Sequence, residues 1–215
     1  MKILITGTSR GIGKATALKF LNEGHDVIGI DICKSTINNP HYTHIIKDIT
    51  DNDLPDISNI DILVNNAGTQ ESGRDIDINL KGTINITEKY GIQSNIKSIV
   101  FNASASASTG AEFPEYAASK GGIVTYMKNV ALRIAQYGAT SNSISAGGVT
   151  TELNNHILAN EELWQQVLNE TMLNKWASPE EIADFIYFLS VVNKSMTGQD
   201  LLVDNGEALK SNFIW

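Results

Sequence analysis

The chain has 215 residues and a formal net charge of -8, with 42% hydrophobic and 19% charged residues. That balance suits a folded chain with a core of domain size and argues against intrinsic disorder. The acidic charge offers no basic surface, and no apolar run nears the ~20 residues of a membrane helix, so neither nucleic acid nor membrane is expected as a partner. The single cysteine, Cys33, has no internal disulfide partner, and Met1-Lys2 leads straight into Ile3-Leu4-Ile5 without a signal-peptide pattern. The expected location is the reducing cytoplasm.

Short apolar runs at residues 2–5, 26–30, 60–64, 98–102, 140–145 and 200–203, with a further piece at 44–47, alternate with stretches of helical character. Such alternation predicts βαβ units, hence an α/β fold with a doubly wound parallel sheet of Rossmann type. No linker interrupts it, so residues 1–215 are read as a single domain.

The first run ends in Thr6-Gly7-Thr8-Ser9-Arg10-Gly11-Ile12-Gly13, and a helical stretch follows at 14–22. Glycines between a strand and a helix let the backbone turn tightly against a pyrophosphate, whose charge suits the helix N-terminus. The candidate contacts are Gly7, Ser9, Arg10, Gly11, Ile12 and Gly13. The second run ends on Asp31, 18 residues beyond Gly13. A carboxylate there accepts hydrogen bonds from an adenosine ribose and repels a 2′-phosphate, which favours NAD over NADP. Arg10 and Lys34 pull the other way, because either can pair with that phosphate. Asp48, followed by Ile49, is read as bonding the adenine amine or else as capping the next turn. Asn65-Asn66-Ala67-Gly68 closes the run at 60–64 and suits a cleft wall against a flat ligand, or a plain asparagine-rich turn.

Tyr116 and Lys120 stand four apart, on one face of a helix. An ammonium near a phenol favours the phenolate, which equips the tyrosine to pass a proton to or from an alcohol or carbonyl oxygen. Alone, the pair is better read as part of an ordinary amphipathic helix with an exposed lysine.

Thr-Gly-x-x-x-Gly-x-Gly, Asn-Asn-Ala-Gly and Tyr-x-x-x-Lys in this order resemble the short-chain dehydrogenase/reductase family, over residues 2–204. The resemblance implies that Tyr116 is the general acid/base and that Lys120 tunes it and holds the nicotinamide ribose. It implies that Asn79 supports a water chain towards the lysine, and that Asn66, Ala67 and Gly68 border the cofactor. Val149 and Thr151 would hold the carboxamide, in a stretch where Ala146-Gly147 replaces the family's Pro-Gly. The family spacing puts the active-site serine at Ala103. Ser104 follows from one deletion in the loop before Tyr116 and Ser106 from three; Ser104 is the reading taken, because a strand end is fixed and a loop can shorten. Self-association as a homo-oligomer, dimer or tetramer, is likewise implied, through the amphipathic helix at 121–136. No metal is expected.

Residues 152–176 are expected to form a substrate lid whose apolar members include Leu153, Ile157, Leu163, Trp164 and Val167. Its carboxylates Glu152, Glu161, Glu162 and Glu170 disfavour an acidic substrate. Ser178-Pro179 reads as an N-cap with proline at the first helical position of a helix at 179–190. The aromatic tail Phe213-Ile214-Trp215 is expected to cover a neighbouring subunit or the pocket. Compared with the family the chain is short after Asp31 and between Gly68 and Asn79, which opens the cleft on one side. The expected activity is hydride transfer between NAD and a small secondary alcohol or ketone. The alternatives are NADPH-dependent reduction of a 3-oxoacyl thioester, and a nucleotide-binding regulator without turnover.

Overall fold

Strand β1 (Lys2–Thr6) sends Leu4 into one apolar cluster and Ile3 and Ile5 into another, as the two-residue period of an extended chain requires. With both faces of its strands apolar, the sheet must be covered on both sides by helices. The computed structural model, which describes residues 1–111 and 113–209, meets that demand. On one face α1 (Gly11–Asn22) and α7 (Pro179–Tyr187) pack Ala17, Phe20, Ile182 and Ile186 over Ile3 and Ile5. On the other, α2 (Thr83–Tyr90) and α4 (Pro114–Ile134) pack Ile86, Tyr90, Ile123 and Met127 over Leu4.

The remaining strands are β2 (Asp26–Asp31), β3 (Tyr42–Ile46), β4 (Ile62–Asn65), β5 (Ser98–Asn102), β6 (Thr140–Ala146) and β7 (Asp200–Val203). All run parallel in the order β3-β2-β1-β4-β5-β6-β7. The order reverses between β1 and β4, so a crevice opens at the C-terminal ends of these two strands. Shorter helices α3 (Ser106–Thr109), α5 (Asn155–Leu158) and α6 (Glu161–Leu168) flank that end.

The doubly wound sheet expected from the sequence is therefore present, with local differences. Where the chain is short after Asp31 no helix forms, and residues 47–61, between β3 and β4, also form none. Polar turn formers explain this second gap: Asp48 accepts from the Thr50 N–H at 2.9 Å, and Pro55 follows. The helix expected at 179–190 begins at a Ser178 capping box with Glu181, but gives way after Tyr187 to a π-helical turn, Phe188–Val192. At the far edge, Ser143 and Ser145 donate to the Asp200 carboxylate at 2.6 and 2.8 Å, which ties β6 to β7. The aromatic tail lies outside the described residues.

Candidate active site

The turn after β1 depends on glycine. Gly7 and Gly11 sit at φ +74° and +51°, in the left-handed region. At Gly13 a Cβ would lie 1.9 Å from the Gly7 carbonyl oxygen, so only glycine lets α1 approach the strand end this closely. Helix α1 starts at Gly11 and directs its first free N–H groups at the turn, a cradle suited to a pyrophosphate. Asn66 holds the turn from below: its Nδ2 donates to the Thr6 and Gly7 carbonyls at 3.0 and 3.1 Å. The Ala67 N–H donates to Thr6 Oγ1 at 3.0 Å. Asn66 therefore builds the cradle as well as bordering the cleft.

At the end of β2, Asp31 accepts from the Ser9 N–H at 2.9 Å and the Cys33 N–H at 2.8 Å. Arg10 is the exposed residue just before α1. Asp48 accepts from both Thr50 groups, at 2.9 and 2.8 Å, so the turn-capping role is realised. Burial works to raise its pKa, but the two Thr50 bonds hold the carboxyl below the usual range. Ile49 is buried in the core, against Gly82.

Helix α4 begins at Pro114, earlier than the apolar period from Gly121 indicates, and this places Tyr116 in its first turn and Lys120 a turn later. Lys120 is 5% exposed; its Nζ donates to the Asn102 carbonyl at 2.9 Å and lies 5.6 Å from the Tyr116 ring centroid. Burial pushes the Lys120 pKa down to about 8, while the charge of Asp75 acts in the opposite sense. Asp75, itself 2% exposed, went unnoticed in the sequence, where it is one acid in a polar loop.

Asn79 does not merely interrupt a helical pattern. It is fully buried in a π-helical turn, Ile76–Gly82, whose widened backbone carries it inward. Its Nδ2 donates to the Thr69 carbonyl at 2.9 Å and to Ser119 Oγ at 3.0 Å, and its Oδ1 accepts from the Thr69 N–H at 2.7 Å. Ser119 in turn donates to the Tyr116 carbonyl at 2.7 Å. Sequence reasoning missed Ser119; its position inside Tyr-x-x-x-Lys was the available signal.

Tyr116, Lys120, Ser104, Ser106, Ile12, Asn66, Gly68, Val149 and Thr151 line one cleft of about 570 Å³. The two serine hydroxyls are 2.9 Å apart, Ser106 donating to Ser104, so both candidates face the same space. Thr151 Cγ2 would lie 3.3 Å from a Cβ at Gly11, which brings the carboxamide stretch beside the glycine turn. Asn79 lies beneath the cleft wall, and Gly7, Ser9, Arg10, Gly11, Gly13, Asp31, Asp48, Ile49 and Ala67 are not on it. The glycine turn and Asp31 lie at the C-terminal ends of β1 and β2.

Of the segment 152–176, Leu153, Ile157, Val167, Glu170 and Trp176 reach the cleft, whereas Glu161 and Glu162 do not line it. Trp176 rests on Gly148, where a Cβ would meet the indole at 2.1 Å, and takes Trp164 edge-on at 5.4 Å. Phe113, His156 and Glu207 also line the cleft and were not singled out from the sequence.

Residues 41–207 match the family model described as enoyl-(acyl carrier protein) reductase. The chain is 31% identical to the 3-oxoacyl-(acyl-carrier-protein) reductase FabG of Thermotoga maritima, over 94% of this chain and 96% of the relative. It belongs to the short-chain dehydrogenase/reductase family. A glucose 1-dehydrogenase of Gluconobacter oxydans is 28% identical over 99% of this chain and 93% of its own. A solved 4-hydroxyisoleucine dehydrogenase mutant, complexed with NADH and succinate, superposes with a TM-score of 0.88 at 25% identity, covering 99% of this chain and all of that one.

The protein is thus an oxidoreductase of the nicotinamide-dependent dehydrogenase/reductase type, acting on small molecules by hydride transfer. Among the described residues no helix is long and apolar enough to cross a membrane.

Proposed function

We propose that this enzyme interconverts a secondary alcohol and a ketone with NAD, and that Tyr116 moves the proton. The observation that carries the reading is the convergence of Tyr116, Lys120 and two serine hydroxyls on one cleft, which Ile12 at the start of α1 also lines. The nicotinamide, when bound, accepts or supplies the hydride.

The chain's own groups divide the remaining work. Gly7, Ser9, Gly11, Ile12 and Gly13 hold the pyrophosphate with α1 behind them. Asp31 takes the adenosine ribose, Asp48 borders the adenine with the buried Ile49 packed beneath it, and Asn66, Ala67 and Gly68 form the adjoining wall. Val149 and Thr151 orient the carboxamide. Tyr116 exchanges a proton with the substrate oxygen. The Lys120 ammonium lowers the energy of the negative charge left on the phenol oxygen while that proton is away. Asn79 anchors the buried polar chain behind these two.

Ser104 donates to the substrate oxygen as charge develops there. Ser104→Ala is expected to lower kcat by ~100-fold or more, as loss of an oxyanion donor does, with a much smaller effect from Ser106→Ala. Steady-state kinetics on both variants checks this, and the reverse ranking transfers the role to Ser106.

The segment at 152–176 serves as the substrate lid, with Trp176 and Ile157 against the substrate. Self-association through α4 is supported by Leu132, which is 80% exposed on that helix.

NAD preference rests on Asp31, fixed by two N–H groups beside the turn. Thermal shift with NAD(H) and NADP(H) at matched concentrations tests it, because a ligand that binds only the folded state raises Tm according to its affinity. Larger stabilisation by NAD(H) is expected. A larger shift with NADP(H) favours the second reading, reduction of a 3-oxoacyl thioester with NADPH, which draws on the likeness to FabG and on the exposed Arg10 next to Ser9.

A further inference from the structure

No crossover helix joins β2 to β3, so residues 32–41 must be fixed by other means. A closed set of side-chain bonds does this. Thr8 is fully buried just after β1, and its Oγ1 lies 2.8 Å from the Tyr42 hydroxyl. That hydroxyl lies 2.8 Å from His44 Nδ1, and His44 Nε2 lies 2.8 Å from the Cys33 carbonyl oxygen. A carbonyl only accepts, so the proton is assigned to Nε2 and Nδ1 is the acceptor. Tyr42 then donates to His44, and Thr8 donates to Tyr42. Ser9 Oγ donates to the same Cys33 carbonyl at 3.1 Å.

From the same two residues, the Cys33 and Ser9 N–H groups each engage one oxygen of Asp31. Gly29 makes room for the arrangement: a Cβ there would lie 2.2 Å from the Tyr42 hydroxyl and 2.3 Å from Thr8 Oγ1. The chain of bonds runs from β3 through the loop to Asp31. It fixes the carboxylate's orientation while each oxygen keeps acceptor capacity for one more donor.

We propose that Tyr42 and His44 are positioning residues for the adenosine end of the cofactor, acting through Cys33 and Ser9 on Asp31. The proposal rests on the reading of Asp31 as the ribose partner. Neither side chain touches the reacting atoms, so their loss is expected in cofactor affinity and not in the chemical step.

The test uses Tyr42→Phe, which keeps the ring and removes both hydroxyl bonds, and His44→Gln, which keeps a donor towards Cys33. Dissociation constants are measured by fluorescence titration with NADH, with NADPH, and with reduced nicotinamide mononucleotide, which lacks the adenosine half. Tyr42→Phe is expected to weaken NADH by about tenfold, on the scale of one or two lost hydrogen bonds. The mononucleotide's affinity and kcat at saturating cofactor stay within about twofold of the parent, and His44→Gln loses less than His44→Ala. An unchanged NADH affinity in Tyr42→Phe overturns the proposal. So does an equal loss with the mononucleotide, which marks a general loosening of the fold. Should Tyr42→Phe not fold, the His44→Gln and His44→Ala pair decides by the same criteria. Tighter binding of NADPH than NADH by the parent refutes the NAD preference, yet a variant loss confined to dinucleotides still upholds the positioning role. An unaltered chain that binds no dinucleotide refutes both.

Discussion

Tyr116→Phe is expected to lower kcat by about 10³-fold while cofactor affinity stays within about twofold, because the phenol's contribution lies in moving a proton and not in holding the dinucleotide. The substitution leaves the ring packed at the start of α4 and keeps the 5.6 Å spacing to Lys120, so the change is confined to the hydroxyl. Single-turnover kinetics together with NADH titration separates the two quantities. Loss of both would mean that the hydroxyl helps to build the cofactor site. Loss of neither would sink the assignment of Tyr116 as acid/base and revive the reading of the chain as a nucleotide-binding regulator. The regulator reading has little support from the structure, because a non-catalytic binder has no need of a lysine buried at 5% exposure behind a tyrosine and two serines on one cleft.

The second large effect has opposite signs for activity and stability. Lys120→Met is expected to reduce turnover by at least about 10²-fold, because the tyrosine loses its supporting charge. It should nevertheless make the protein more stable at neutral pH. Burial lowers the Lys120 pKa from 10.5 to about 8, a bias against the charged form of about 3 kcal/mol. A cation whose folded pKa lies below its unfolded one is penalised wherever both states are protonated, here below about pH 8. The penalty fades as pH rises through that value towards 10.5, where the unfolded chain also loses its proton. Methionine removes the penalty but leaves the Asn102 carbonyl without its donor, so the net gain at pH 7 is about 1–2 kcal/mol. Denaturant melts at pH 7 and pH 9.5 should show the variant's advantage shrinking at the higher pH. A variant less stable than the parent at pH 7 would overturn the account of Lys120 as a strained, functionally retained charge.

A buried lysine of this kind is cheap to recognise in three dimensions and hard to recognise in one. In the sequence Lys120 follows a serine and precedes two glycines, and helical periodicity alone gives it a solvated face. Its burial comes from β5, which ends beneath α4 and offers the Asn102 carbonyl as a partner. Asp75 was illegible for the same reason: it reads as a solvated loop acid, yet it is 2% exposed at the start of the π-helical turn. The serine question shows a limit of a different kind. Spacing sets Ser104 and Ser106 as rivals, and the fold brings their hydroxyls within 2.9 Å of each other, so kinetics must distinguish them.

By itself the sequence determined the strand order's raw material, because alternating apolar runs and helical stretches admit little except a parallel sheet covered on both faces. It also determined the glycine turn, the Asp31 strand end and the Tyr116–Lys120 pair, since each is a short-range pattern whose chemistry depends on residues a few positions apart. Only the tertiary structure decided which polar residues lose their water. Burial of Asn79, Lys120 and Asp75, the use of Asn66 as a strut under the glycine turn, and the Thr8–Tyr42–His44 chain all join residues distant in sequence. Their hydrogen bonds and pKa shifts exist because packed strands and helices exclude solvent, and no local pattern encodes where that exclusion falls.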